Sequence, residues 1–206
     1  MDSDRAEGSL MKRLAPAPRS AALHDIFRPG TSVARSAVLA IAASLALAVS
    51  AKIQVPFWPV PMTMQSLVVL LIGLGYGSRL GAAAILLYLG EGAAGLPVFA
   101  GPAAGPGYFL GPTGGYLVGF LLSAIFVGWL AEQGWGRGLP RLTVTLTAGH
   151  ILLFIPGVAW LAVLFGWSKA IALGVTPFIA ATIVKTLLGI ALVTAVSGLR
   201  RRRAGG

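Results

Sequence analysis

At 206 residues, 56% of them hydrophobic and 11% charged, with a mean hydropathy of +0.84, the chain carries less than half of the roughly 25% charged residues of a soluble domain. That balance excludes a water-soluble globular protein and predicts a single-domain, all-α membrane protein. The net charge of +10 falls in tails and short loops rather than on one face, so nucleic acid is not an expected partner and orientation in a lipid bilayer accounts for the charge. The absence of cysteine removes thiol catalysis, disulfides and cysteine metal sites.

In chain order, residues 1–33 read as a cytoplasmic tail, polar and proline-dotted, with Arg5, Lys12, Arg13, Arg19 and Arg28. Such a composition cannot bury enough apolar surface to order itself. The first twenty residues carry no apolar core, so a cleaved signal peptide is not expected. A first span is predicted over 34–51, eighteen residues against the roughly 20 that cross a 30 Å hydrocarbon core. Within it Ala42, Ala46 and Ser50 recur every four residues, as do Ala40, Ser44 and Ala48. Small residues at that spacing let another helix approach closely, whether in a partner or in the same chain.

Pro56, Pro59 and Pro61 around Phe57 and Trp58 forbid a helix over 53–62. Thr63 is a plausible N-cap for a second apolar run, 63–76. A turn at Gly77, Ser78 and Arg79 precedes a third run, 80–90. Eleven residues rise only about 16 Å as a helix, so this run is tilted, extended by the loop after it, or re-entrant.

From Glu91 to Leu110 the chain mixes glycines and prolines with Phe99, Tyr108 and Phe109. This loop is too irregular for a helix and too apolar for a solvated linker. Irregular backbone among membrane segments needs cover from protein or water, which predicts a shaped lid or cavity wall. It delivers the stretch GPTGGYLVGF, residues 111–120. Further spans are predicted over 114–131, 142–165 and 177–196, and the basic residues 198–206 read as a second cytoplasmic tail.

The arginines settle the count. With six transmembrane helices over residues 34–197 and both termini cytoplasmic, the inner side collects Arg5, Lys12, Arg13, Arg19, Arg28, Arg35, Arg79, Arg137, Arg141 and Arg200 to Arg203, thirteen of the sixteen basic residues. A five-span arrangement would separate the two terminal clusters and violate the positive-inside rule. Six spans put residues 53–62, 91–112 and 166–176 together as irregular, partly ordered external loops, where an outside substrate would arrive.

No phosphate-binding loop, nucleophile elbow or metalloprotease pair occurs in the sequence, so no enzyme activity, cofactor or metal is expected, and any uphill movement draws on a partner or an ion gradient. The one charge inside a span is Lys185. At the bilayer centre it costs roughly 2.5–3.5 kcal/mol, so it should face the bundle and be partnered. Thr182 and Phe178 share its helix face. A ligand carboxylate or carbonyl would serve it; so would snorkelling, Glu91 or backbone carbonyls. Trp160 lies at a similar depth, as a wall for an apolar ligand or as an interfacial anchor. His150 is about 22 Å from the outer end of its helix, too deep for the same pocket, and reads as structural. Gly115, Gly119 and Ser123 form another close-packing stripe, and Thr113 and Tyr116 are the hydrogen-bonding side chains at its outer end.

The run VPFWPVPMTMQ (55–65), then GLPVFAG (95–101), then GPTGGYLVGF, in this order between short spans, resembles the BioY family, the biotin-specific S components of energy-coupling factor (ECF) transporters. Weaker agreement continues through Gly149-His150, Gly157, Trp160 and Pro177-Phe178 to Lys185. The resemblance covers roughly residues 34–196. It implies a six-helix S component that binds biotin near the outer face, beneath the first and third external loops and against helices four to six. It also implies a partner: a transmembrane coupling subunit that touches the small-residue face of the first helix and joins two cytoplasmic ATPases, with self-association where that module is missing.

On this reading Ala42, Ala46 and Ser50 contact the coupling subunit, and Lys185, Thr182, Trp160, Thr113, Tyr116, Phe99, Tyr108 and Glu91 surround the substrate. One position departs from the family: Thr182 stands where an aspartate is common. Either its hydroxyl makes a weaker contact, or Glu91 or a backbone carbonyl takes over. The alternatives to biotin uptake are a carrier for another vitamin or small apolar carboxylate, and a membrane scaffold without substrate.

Overall fold

The structure is a computed structural model that describes residues 32–102 and 104–204, the side chains of 200–204 excepted. Helix α1 (Val33–Lys52) leads into a short antiparallel hairpin of β1 (Gln54–Val55) and β2 (Met62–Thr63), with Gln54 opposite Thr63. Then come α2 (Gln65–Ala93), a 3-10 turn (Pro106–Leu110), α3 (Gly114–Glu132), α4 (Leu139–Phe165), α5 (Trp167–Gly174) and α6 (Phe178–Ala204). Five of these helices are long and apolar enough to cross a membrane.

One of the five, α2, crosses twice. Gly77 has φ 79° and ψ −177°, a conformation that glycine adopts without a Cβ clash, and the chain folds back there. The Gly73 Cα lies 3.6 Å from where a Cβ on Gly81 would sit, and Gln65 Nε2 donates to the Tyr88 hydroxyl at 2.6 Å, so limbs 65–76 and 78–93 run side by side. Glu132 caps the start of the second limb, accepting from the Ser78 amide at 2.7 Å and its hydroxyl at 2.9 Å, where a carboxylate also complements the helix dipole. Six crossing segments result, as the arginines predicted. The short third run is resolved by extension at both ends, to about 24 Å of helix.

The limbs of α2 together with α3 form the buried centre, and α1, α4 and α6 stand around them. Close approach of α3 and α4 depends on missing side chains. A Cβ on Gly115 would strike the Pro156 carbonyl and Trp160, and one on Gly119 would strike the Leu153 backbone. Ser123 seals the seam by donating to the Gly149 carbonyl at 2.9 Å. Around the outside, exposed rows such as Val38, Ile41, Leu45 and Val49 on α1 and Ile179, Ile183 and Leu187 on α6 suit acyl chains rather than water, consistent with a membrane protein.

Three expectations change. The 166–176 connection is not a loop: it contains α5, which buries Ala170 and Gly174 and exposes Trp167 and Ile171. At the other end, α6 continues through the basic run to Ala204, where a tail from 198 was expected. The small-residue stripe on α1 also divides. Ala42 and Ala46 face outward, but Ser50 is buried and donates to the Leu47 carbonyl at 2.8 Å. Each four-residue step rotates about 40° around a helix of 3.6 residues per turn, so two steps carry position 50 off the face of position 42. Of the expected N-terminal tail, residues 1–31 lie outside the described residues.

Candidate ligand site

At the loop end of the bundle a cavity of about 50 Å³ is enclosed by six parts of the chain. Val60, Pro61 and Thr63 come from the hairpin, Gln65 and Ser66 from the start of α2, Ala100 and Tyr108 from the loop, Thr113, Tyr116, Leu117 and Phe120 from the start of α3, Leu153 and Phe154 from α4, and Phe178, Thr182 and Lys185 from α6. The lining is mostly apolar with polar side chains set among it, the composition expected of a small-molecule site.

Lys185 is 8% exposed, and its Nζ donates to the Thr63 carbonyl at 2.6 Å and the Ser66 hydroxyl at 3.1 Å. These two acceptors satisfy two of the three protons of an ammonium. Among the described residues no carboxylate lines the cavity, so its positive charge is met there by dipoles alone. Gln65 is oriented by two contacts: its Oε1 accepts from the Thr63 hydroxyl at 3.1 Å while its amide donates to Tyr88. The Thr63 hydroxyl also accepts from the Gln65 backbone N–H at 3.4 Å, but the cap position of α2 is Met64, one residue after the predicted Thr63.

The aromatic wall is held from behind. Tyr116 donates to the Gly174 carbonyl at 2.9 Å, linking α3 to α5, and packs against Phe154 and Phe178 at centroid separations of 5.8 and 6.5 Å. Tyr108 stacks on Phe99 at 4.5 Å and donates to the Ala100 carbonyl at 3.4 Å. Burial pushes the Tyr108 phenol above its ordinary pKa, so it enters the site as a neutral donor.

Of the eight side chains expected around a substrate, Lys185, Thr182, Thr113, Tyr116 and Tyr108 line this cavity and three do not. Phe99 is 1% exposed and fills the space over Gly92, beneath Tyr108, where it supports the loop. Trp160 donates from Nε1 to the Gly111 carbonyl at 2.9 Å, which fastens the end of the loop to α4. Glu91 belongs to the last turns of α2 rather than to the loop, and it accepts from Ser44 of α1. It does not line the cavity. Thr63, Gln65 and Ser66 are not among the expected site residues, although the first two end the 55–65 motif; nothing in their spacing announces that a lysine 119–122 positions later will reach Thr63 and Ser66.

A larger groove, about 740 Å³, runs along α4 and α6 past Ile151, Ile155, Ile183 and Leu187. It is open along its length and continuous with the lipid-facing rows. His150 lies at its floor, its Nδ1 3.1 Å from the Thr186 hydroxyl and its Nε2 without a partner, so the structural histidine is satisfied at one nitrogen only. Size favours this groove, but convergent polar groups and enclosure favour the smaller cavity as the ligand site.

The chain is also similar to known proteins of one family. A family model described as the BioY family matches residues 19–202. A protein of Pyrococcus horikoshii named probable biotin transporter BioY is 40% identical over 150 residues, spanning 73% of this chain and 88% of that one. Biotin transporter BioY2 of Lactococcus lactis is 36% identical over 166 residues, covering 78% and 90% of the two chains. Among solved structures, the S-component for biotin from an ECF-type ABC transporter superposes with a TM-score of 0.68 over 82% of this chain and 92% of that one, at 23% sequence identity. At that identity the likeness establishes the fold.

Proposed function

This chain belongs to the BioY family, and from that membership we propose that it takes up biotin across the cytoplasmic membrane as the substrate-binding S component of an ECF-type transporter. The observation that carries the reading is Lys185: a buried amine lining a mostly apolar cavity, beneath the irregular loops of one end of the bundle. Biotin has a bicyclic ureido and thioether head and a valerate tail. Its apolar body suits the walls of Tyr116, Phe120, Phe154 and Phe178, and its polar atoms suit Lys185, Thr182, Thr113 and Tyr108. A carboxylate or ureido carbonyl on Lys185 supplies the acceptor that its remaining proton lacks.

The cavity of about 50 Å³ is well below the roughly 300 Å³ at which ligand pockets begin. Binding therefore enlarges it, and its roof is the part built of irregular backbone. The distribution of arginine and lysine supports cytoplasmic termini, and with that orientation the site faces the outside. The chain holds and releases biotin without chemical change. A transmembrane coupling subunit docks on the outward face of α1 at Ala42 and Ala46, and two cytoplasmic ATPases supply the energy; where such a module is missing, self-association takes its place.

The deciding experiment is binding of labelled biotin to the purified chain, with and without a co-expressed coupling subunit, in competition with desthiobiotin, thiamine and riboflavin. Biotin should bind saturably and desthiobiotin should compete. Displacement by thiamine or riboflavin at comparable concentration would indicate a carrier for another vitamin, and no binding of any of them a scaffold.

A further inference from the structure

We infer that Lys52, at the loop end of α1, is a positioning residue that holds the roof of the cavity shut and so ties α1 to ligand retention. The inference rests on the biotin-binding reading. Lys52 does not line the cavity. Its Nζ donates to the Phe99 carbonyl at 2.8 Å and to the Gly101 carbonyl at 3.1 Å. Between those two carbonyls lies Ala100, whose side lines the cavity and whose own carbonyl accepts from Tyr108, another roof residue. One ammonium therefore grips the loop on both sides of Ala100.

The loop joins α2 to α3, and two side chains from other helices hold it. Trp160 fastens Gly111, immediately before α3, where the chain is already anchored. Lys52 fastens the middle, next to Val98, whose carbonyl accepts from Tyr88 of α2 at 3.0 Å. The two ties also differ in kind. Trp160 is half-buried, whereas Lys52 is exposed, so water can replace its two acceptors and the tie can open and close reversibly. A charged donor makes a stronger hydrogen bond than a neutral one, yet this one needs no buried charge to be uncovered on release.

The position of Lys52 on α1 gives the tie its consequence. Val38, Ile41, Leu45 and Val49 leave the outward face of α1 uncovered by the rest of the chain. A partner that tilts or shifts α1 moves the Lys52 Nζ away from residues 99 and 101 and loosens the roof. The same helix is joined to α2 lower down through Ser44 and Glu91, which provides a fulcrum about which the loop end can swing.

The test uses the full-length purified chain with Lys52→Met, which keeps the stem and removes the charge, and Lys52→Arg, which keeps both. Two quantities are measured: biotin dissociation in a chase experiment, and amide hydrogen exchange of the ligand-free protein. For Lys52→Met, dissociation should speed up by about tenfold, and exchange should rise over residues 94–110 while the six crossing segments stay as protected as before. Lys52→Arg should release biotin within about threefold of the wild-type rate, since it keeps the donor. Wild-type dissociation and exchange in Lys52→Met would overturn the inference, as would a rise in exchange across the whole chain, which marks general destabilisation. If the wild-type chain binds no biotin, the reading of the ligand fails, and the exchange comparison still judges the latch.

Discussion

Lys185 Nζ lies 2.6 Å from the carbonyl oxygen of Thr63, a residue 122 positions earlier in the chain. This contact joins the last crossing segment to the start of α2 and sets a cation beside an apolar cavity with no carboxylate among its described lining residues. Removing the amine leaves the Thr63 carbonyl and Ser66 hydroxyl facing a void and takes away the charge a ligand carboxylate or carbonyl would meet. Truncating one partner of a buried charged hydrogen bond costs roughly 2–5 kcal/mol. Lys185→Ala should therefore abolish or strongly weaken biotin binding in detergent, as measured by equilibrium titration. Near wild-type affinity would falsify the role.

Thr182 lies one helical turn from Lys185 and reaches both the cavity and the groove beside it. If its hydroxyl contacts the ligand, Thr182→Val removes one neutral hydrogen bond and should weaken biotin by about 0.5–1.5 kcal/mol. Thr182→Asp, which restores the residue common in the family, sets a counterion beside Lys185 and should not weaken binding. An unchanged dissociation constant in the valine variant would assign Thr182 to packing.

On α1, Ala42 and Ala46 present backbone-close surface to the outside of the bundle. Leucine at position 46 adds bulk where a partner helix should approach but touches no cavity residue. Ala46→Leu should impair uptake with a coupling subunit while leaving biotin binding by the isolated chain intact. Lost binding would show that this face packs within the chain.

Gly119 allows α3 to lie against the backbone of Leu153, whose carbonyl carbon and Cα come within 3.0 and 3.1 Å of a Cβ built there. Backbone cannot swing aside as a flexible side chain can, so Gly119→Ala should destabilise the protein by about 1–3 kcal/mol. The measurement is a thermal melt in detergent without ligand, beside Val118→Ala at a neighbouring exposed position. Equal melting temperatures for Gly119→Ala and wild type would remove the close-packing role.

The readable features were those written in local composition. Apolar runs of span length, the proline cluster at 56–61, the glycine stripe on α3 and the distribution of arginine each state a one-dimensional constraint. Together they yield six crossing segments and the end of the bundle where irregular loops gather. The Gly77 turn was legible for the same reason, since few residues other than glycine tolerate its positive φ. The site was half legible. Lys185 stood out because a charge in a span demands an explanation; Thr182 followed from its helix face, Thr113 and Tyr116 from their place at the outer end of the α3 stripe, and Tyr108 from the family resemblance.

What sequence could not decide was facing. Glu91 and Phe99 lie close to the cavity along the chain, yet Glu91 turns to Ser44 on α1 and Phe99 sinks beneath Tyr108. Trp160 has the right depth, but its indole reaches Gly111. Nothing in the sequence around Lys52 points to residues 99 and 101, which only the fold brings to it. Composition, span count and charge distribution belonged to the sequence alone, because hydrophobic partition and charge asymmetry act residue by residue. The partners of Lys185, Glu91 and Lys52 belonged to the tertiary structure, because a direction around a helix axis has meaning only once the neighbouring helices are in place.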